Sequence, residues 1–251
     1  MSFSRRKFIS NSAGSIGLST LIGSILSSFI EEKTKKKKSI ITANSTILFQ
    51  GDSITDTGRE KKLELPNNAN SFGNGYAFLA ASSLLNSLPK ENLKLYNRGI
   101  SGNKVFQLSD RWEKDCLALK PNILSILIGV NDYWHTRDGN YNGTVQTYEN
   151  DYIKLLERTK KELPDIKIAV CQPFILSGTS AVDDSFIKSF KEYQISAKKI
   201  SDEFKTLWIP FQEIFNEAIK YAPAKYWLYD GVHAAMPGAQ LMANAWLKIV
   251  S

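Results

Sequence analysis

A serine, a histidine and an aspartate in this 251-residue chain stand in settings suited to nucleophilic acyl transfer. Ser53 lies in Gly51-Asp52-Ser53-Ile54-Thr55-Asp56, directly after the apolar run Thr46–Gln50. A serine on a tight strand-to-helix turn presents its hydroxyl outward and its own N–H toward the same point, as a nucleophile requires. Alone, the triplet equally suits an ordinary Gly-Asp turn with a capping serine. Near the C-terminus stands Asp230-Gly231-Val232-His233. Its spacing lets the Asp230 carboxylate reach Nδ1–H of the imidazole and leaves Nε2 for the serine. Asp230 would hold the tautomer and stabilise the imidazolium, while His233 takes the Ser53 proton and later returns one to the leaving alkoxide. His135 is the only other histidine, so the base has one competitor.

Such chemistry also needs donors for the oxyanion. Asn97-Arg98-Gly99-Ile100-Ser101-Gly102-Asn103 is a glycine-bearing loop with N–H groups to offer, and Gly129-Val130-Asn131-Asp132 supplies a side-chain amide. The N–H groups of Ser53 and Gly102 with the Asn131 amide are therefore the candidate oxyanion hole.

Other residues near these blocks have blander readings. Asp52 and Asp56 flank the nucleophile, where carboxylates ordinarily accept from backbone N–H groups of the turn. Tyr133, Trp134 and His135 are candidate substrate-binding residues, with packing beneath a long loop as the alternative. Arg137–Gly143 reads as a surface loop that could wall a cleft. Trp227 and Tyr229 read as core or rim aromatics, and Asp183-Asp184 suits a helix N-terminus. Cys116 and Cys171 lack metal or redox spacing and read as buried small hydrophobes; whether they pair is open. No cluster offers three convergent ligands, so no metal is expected.

Positioning these residues falls to an alternation of short β-branched or aromatic runs with longer segments of helical period, the pattern of βα units on a parallel sheet. Strands are expected at Thr46–Gln50, Leu93–Asn97, Ile123–Ile128, Ile166–Cys171 and Thr206–Ile209. Helices are expected at Gly75–Leu88, Val105–Leu119, Thr144–Leu163, Ser185–Phe204, Phe211–Tyr221 and Gly238–Val250, the last opening after Pro237. In open sheets of this kind a site lies beyond the carboxyl ends of the strands, which is where three of the blocks fall.

With the blocks in this order the chain resembles the SGNH, or GDSL-type, hydrolases. The resemblance rests on Gly51-Asp52-Ser53, on Gly102 of the N-x-G-x-S-G loop, on Gly129-x-Asn131-Asp132 and on Asp230-x-x-His233 with Gly238 following. It covers residues 45–250 and departs from many relatives at Val130, where they carry glycine. It implies a three-layer α/β/α, flavodoxin-like fold and ester hydrolysis without metal or organic cofactor. It suggests three substrate classes: O-acetylated carbohydrates, lysophospholipids or other lipid esters, and small acyl esters or thioesters. An aromatic- and Asn-rich rim favours deacetylation of a glycan, whereas Phe72, Tyr76, Phe174, Ile175 and Leu176 leave an apolar, lipid-binding lip open. A non-catalytic glycan-binding module on the same fold is the rival of another class.

Composition narrows the setting. The apolar fraction of 43% with 23% charged residues suits a soluble globular chain, and no stretch after residue 40 is apolar enough for an integral membrane body. Of the 32 Lys and Arg, eight fall in residues 1–38 against two Glu, so the body is nearly neutral and offers no basic face for nucleic acid. The N-terminus, Ser4-Arg5-Arg6-Lys7-Phe8-Ile9 followed by an uncharged, mildly apolar stretch to Ile30, resembles a twin-arginine export signal. The expected organisation is a signal at 1–30, a basic linker at 31–44 and one hydrolase domain at 45–251. Export to the periplasm or beyond follows, with an uncleaved N-terminal anchor as the alternative because no A-x-A pattern precedes Glu31.

Overall fold

The computed structural model describes residues 39–251, so the expected signal at 1–30 and the expected linker up to residue 38 lie outside the described residues. Five strands, β1 (Thr46–Gly51), β2 (Lys94–Asn97), β3 (Ile123–Leu127), β4 (Lys167–Cys171) and β5 (Leu207–Ile209), form one sheet in the order β2-β1-β3-β4-β5. Every pairing is parallel. All five β3 residues are buried, as expected of a strand covered on both faces.

The helices are α1 (Ser53–Asp56), α2 (Ala69–Phe72), α3 (Tyr76–Ser87), α4 (Val105–Asp110), α5 (Trp112–Asp115) and α6 (Val130–Arg137). They continue with α7 (Val145–Glu162), α8 (Asp184–Glu203), α9 (Phe211–Ala218), α10 (Ala224–Trp227) and α11 (Met236–Val250). Side chains alternate across a strand, and β1 shows both layers. Phe49 packs on Phe72, Tyr76 and Trp246, from α2, α3 and α11. The next residue, Gln50, faces the opposite layer and donates from Nε2 to the Asp115 carbonyl of α5 at 3.0 Å. Trp246 also donates from Nε1 to Ser125 Oγ of β3 at 2.9 Å, which ties α11 to the middle of the sheet. The result is the three-layer α/β/α arrangement expected. Residues before β1 are also ordered against the domain: Ile41 is buried and Asn44 N donates to the Glu91 carbonyl before β2.

Strand positions agree with expectation to within a residue at each end, while several helical stretches differ: short helices at Ala69–Phe72 and Ala224–Trp227 were not expected, and the helix expected to reach Tyr221 ends at Ala218. The single helix expected over Val105–Leu119 is broken at Arg111 into α4, α5 and a 3₁₀ turn at Leu117–Leu119. The break carries Trp112 into the core, where its Nε1 donates to Thr159 Oγ1 at 2.9 Å, and frees Arg111 to reach the loop after β2. Residues 130–137, outside every expected helix, form α6, whose last residue, Arg137, opens the expected surface loop; their weak amphipathic signal hid a helix that packs Tyr133 and Trp134 on α8. Pro237 sits within the first turn of α11 rather than before it. Both cysteines are free and buried, and burial pushes the Cys171 thiol up to about 12.

Because Trp246 joins α11 to both β1 and β3, Trp246→Ala should lower the unfolding free energy by about 3–5 kcal/mol. Urea denaturation measures this; a loss below 1 kcal/mol would show that the ring is not a principal core contact.

Candidate active site

The turn after β1 is built by Gly51 and Asp52. Gly51 has φ +158°, and a side chain there would collide with the Leu127 carbonyl and with Thr55. Asp52 caps α1, its Oδ1 accepting from Ile54 N at 3.0 Å. Ser53 thus occupies the first helical position, with an N–H that has no acceptor among the described residues.

Ser53 Oγ lies 2.8 Å from His233 Nε2, and His233 Nδ1 lies 2.7 Å from Asp230 Oδ2. The two latter residues belong to a hairpin between α10 and α11, closed by a Leu228–Ala234 bridge and by Tyr229 N donating to the His233 carbonyl. Asp230 Oδ1 accepts from Val232 N at 2.9 Å and from His233 N at 2.7 Å, so one carboxylate shapes the loop and orients the ring. Tyr229 stacks on the imidazole at 5.7 Å and 15°. The loop after β4 braces this hairpin: Leu176 N donates to the Gly231 carbonyl, and Thr179 Oγ1 to the Asp230 carbonyl at 2.8 Å. Sequence reasoning did not anticipate Leu176 or Thr179 here, since their partners lie more than 50 residues away and no local pattern marks them.

The loop after β2 is fastened to the serine turn. Ile100 N donates to the Gly51 carbonyl, and Asp56 Oδ2 accepts from Ser101 N at 2.9 Å and Ser101 Oγ at 2.7 Å. Arg59 Nε donates to the Gly99 carbonyl at 2.7 Å, and Arg111 holds the Arg98 carbonyl and Asn103 Oδ1. Gly102 has φ +80°, a conformation costly to other residues, and its N–H has no acceptor among the described residues. Asn131, in the first turn of α6, spends one amide hydrogen on the Asn103 carbonyl at 3.2 Å and keeps the other. Ser53, Gly102 and Asn131 therefore follow β1, β2 and β3 at the carboxyl end of the sheet, two at helix starts and one on a loop.

Of the three candidate substrate-binding residues Tyr133, Trp134 and His135, two pack onto α8. Tyr133 packs on Phe186, Phe190 and Tyr193, and Trp134 packs edge-on to Phe186. His135 instead meets Lys104. The residues that left a lipid-binding lip open, Phe72, Tyr76, Phe174, Ile175 and Leu176, are all buried. Asp183 caps α8, accepting from Phe186 N at 2.8 Å.

Electrostatics separate the acidic groups. Burial pushes the Asp52 and Asp132 carboxyls up to about 7. For Asp230 burial acts upward too, but hydrogen bonds from His233 and from the His233 and Val232 N–H groups outweigh it and hold the group below the usual range. Asp56 is likewise lowered, burial being overcome by Lys61 and Ser101. The hydrogen bond to Asp230 raises His233, against the opposing effect of burial. Burial and the Lys104 charge lower His135.

This geometry is matched by comparison. The model of the GDSL-like lipase/acylhydrolase family matches residues 49–241. The chain belongs to that family. It is 34% identical over 215 residues to an acetylxylan esterase of Geobacillus stearothermophilus, covering 83% of this chain and 94% of the relative. A solved structure of an acetylxylan esterase from the same organism superposes with a TM-score of 0.76 at 31% identity over 84% of this chain and 96% of the other. A structure described as a GDSL-like lipase of Parabacteroides merdae superposes with a TM-score of 0.82 at 51% identity, covering 84% and 98%. This GDSL-type protein is a carboxylic ester hydrolase with the parallel α/β fold of those relatives.

With Asp230 as its dominant influence, His233 should titrate above the ordinary value of 6.5. In Asp230→Asn the favourable hydrogen bond to the imidazolium is lost and burial remains, so the midpoint should fall below 6.5. Histidine ring NMR across pH reads both; an unchanged midpoint would show that Asp230 does not stabilise the charged ring.

Proposed function

We propose that the chain hydrolyses esters through an acyl-enzyme formed on Ser53, with His233 as general base and acid and Asp230 as its orienting carboxylate. The observation that carries this reading is the Ser53–His233–Asp230 relay at 2.8 and 2.7 Å. His233 Nε2 removes the Ser53 proton as Oγ attacks the acyl carbon, and the resulting imidazolium is stabilised by Asp230. The oxyanion receives the N–H groups of Ser53 and Gly102 and the second amide hydrogen of Asn131. Collapse expels the alkoxide, which takes the proton from His233, and water attacks the acyl-enzyme by the same route in reverse. Since the base must be neutral, activity should fall as pH drops through the raised pKa of His233.

The favoured substrate is an O-acetylated carbohydrate. Two observations support it: the resemblance to an acetylxylan esterase, and the burial of the apolar side chains that a lipid-binding lip would need to expose. Ser53→Ala should abolish turnover of p-nitrophenyl acetate, and Asn131→Ala should lower it about 10²–10³-fold. Acetyl-selective cleavage extending to an acetylated glycan supports the carbohydrate reading. Preference for long acyl chains would move the assignment to lysophospholipids or other lipid esters, and turnover independent of Ser53 would overturn the nucleophile. Absence of all turnover would favour the glycan-binding module.

The same reading places the domain at 45–251 outside the cytoplasm, carried by a signal at 1–30 and a linker at 31–44. Arg5→Lys with Arg6→Lys should retain the protein in the cytoplasm, as cell fractionation would show; unchanged export would refute the twin-arginine route.

A further inference from the structure

Helix α6 and the segment after Gly102 are joined rung by rung. Asn131 Nδ2 donates to the Asn103 carbonyl at 3.2 Å, Val105 N donates to Asp132 Oδ1 at 3.2 Å, and Lys104 Nζ meets His135 Nδ1 at 2.9 Å. Asn131 and His135 are four residues apart on one helix, so they share a face about 6 Å apart along the axis. His135 Cε1 comes within 3.9 Å of where a Gly102 side chain would begin. The imidazole therefore lies beside Gly102, on the face of α6 that also carries Asn131.

The pairing also sets the proton. A lysine ammonium has hydrogens to give and no lone pair to offer, so His135 Nδ1 accepts and the ring hydrogen resides on Nε2. That Nε2 has no partner among the described residues. Lys104 is 7% exposed and makes no ion pair among the described residues. It lies over the Phe106 and Tyr141 rings at 5.7 and 5.3 Å. A half-buried imidazole backed by a buried cation, beside Gly102 and with Nε2–H unpartnered among the described residues, is thus a strengthened donor that calls for an oxygen acceptor. An acetyl methyl offers none. The alcohol half of a sugar ester does, through the hydroxyl and ring oxygens beside the ester.

We propose that the Lys104–His135 pair is a fixed hydrogen-bond donor for the alcohol half of the substrate, His135 Nε2–H donating to a sugar oxygen next to the acetyl group. His135 is here a specificity residue touching substrate, and Lys104 positions it and fixes its tautomer. The inference rests on the carbohydrate ester reading. A staple that merely joined α6 to the loop would use Nδ1 alone and would serve every ester equally.

The test compares kcat/KM for p-nitrophenyl acetate, which lacks neighbouring hydroxyls, with that for acetylated xylo-oligosaccharide and for monoacetylglycerol. In His135→Ala the loss on the two polyol esters should exceed the loss on p-nitrophenyl acetate by about tenfold, the worth of one good hydrogen bond. It should be seen mainly in KM. His135→Gln, whose amide nitrogen reaches the Nε2 position, should recover most of it, and His135→Asn should not. Nitrogen-15 NMR of the wild-type ring should show the Nε2–H tautomer. An equal loss on all three esters, or an Nδ1–H tautomer, would overturn the inference while leaving the esterase assignment intact. If the wild type cleaves p-nitrophenyl acetate but neither polyol ester, the carbohydrate reading fails and this inference fails with it.

Discussion

The parallel register of β1 against β3 is the constraint on which the site depends. Gly51 lies opposite Leu127, so the chain leaves both strands at the same level. Ser53 follows two residues later on one strand and Asn131 four residues later on the other. In the order β2-β1-β3-β4-β5 this pair is also where successive connections diverge, β1 leading to one edge and β3 to the other. The divergence opens a crevice at the carboxyl ends of the central strands. A side chain at Gly51 would strike the Leu127 carbonyl, so the residue before the serine turn is limited by the strand pairing itself. The burial of β3 on both faces and the anchoring of Trp246 to Ser125 make that register rigid.

Around this frame, buried polar groups do what apolar packing alone would not. Arg59, Arg98, Asp56 and Asp115 are nearly inaccessible, and burying such charges is costly unless they are paired and hydrogen-bonded. Here Arg98 lies 4.0 Å from Asp115, Asp56 pairs with Lys61, and Arg59 and Asp56 are tied to the loop after β2. Arg111 spans Asp115, the Arg98 carbonyl and Asn103, Arg59 reaches the Gly99 carbonyl, and Asp56 takes both donors of Ser101. These directional bonds hold the N–H of Gly102 in one place, which a glycine-bearing loop would not achieve by itself. Asp230 does the same for the C-terminal hairpin by accepting two backbone N–H groups and the ring. Preorganised donors of this kind give an ester hydrolase its stabilisation of developing charge without reorganisation during the reaction.

Several features were legible in the sequence because they are local. The alternation of apolar runs and helical periods located all five strands to within a residue. The spacing of Asp230 and His233 anticipated their hydrogen bond, because three residues in one turn bring carboxylate and imidazole into reach. Glycines 51 and 102 marked turns by their conformational freedom. The helix Val130–Arg137 was not legible because a short, polar, weakly amphipathic helix carries little periodic signal, although its place after β3 is what orients Asn131 and His135.

What the tertiary structure alone decided depends on contacts between segments far apart in the chain. No spacing in the sequence links Ser53 with His233, 180 residues away, or Asp56 with Ser101, or Lys104 with His135. The break at Arg111 follows from the pull of a core site on Trp112 and of the loop after β2 on Arg111, neither of which leaves a local trace. Tyr133 and Trp134 turned onto α8 while His135, one step further round the helix, faced the Gly102 loop. Residue types thus determined which chemistry the chain could carry, and packing determined which of the candidate side chains reach it, because side-chain direction is set by the neighbours that folding supplies.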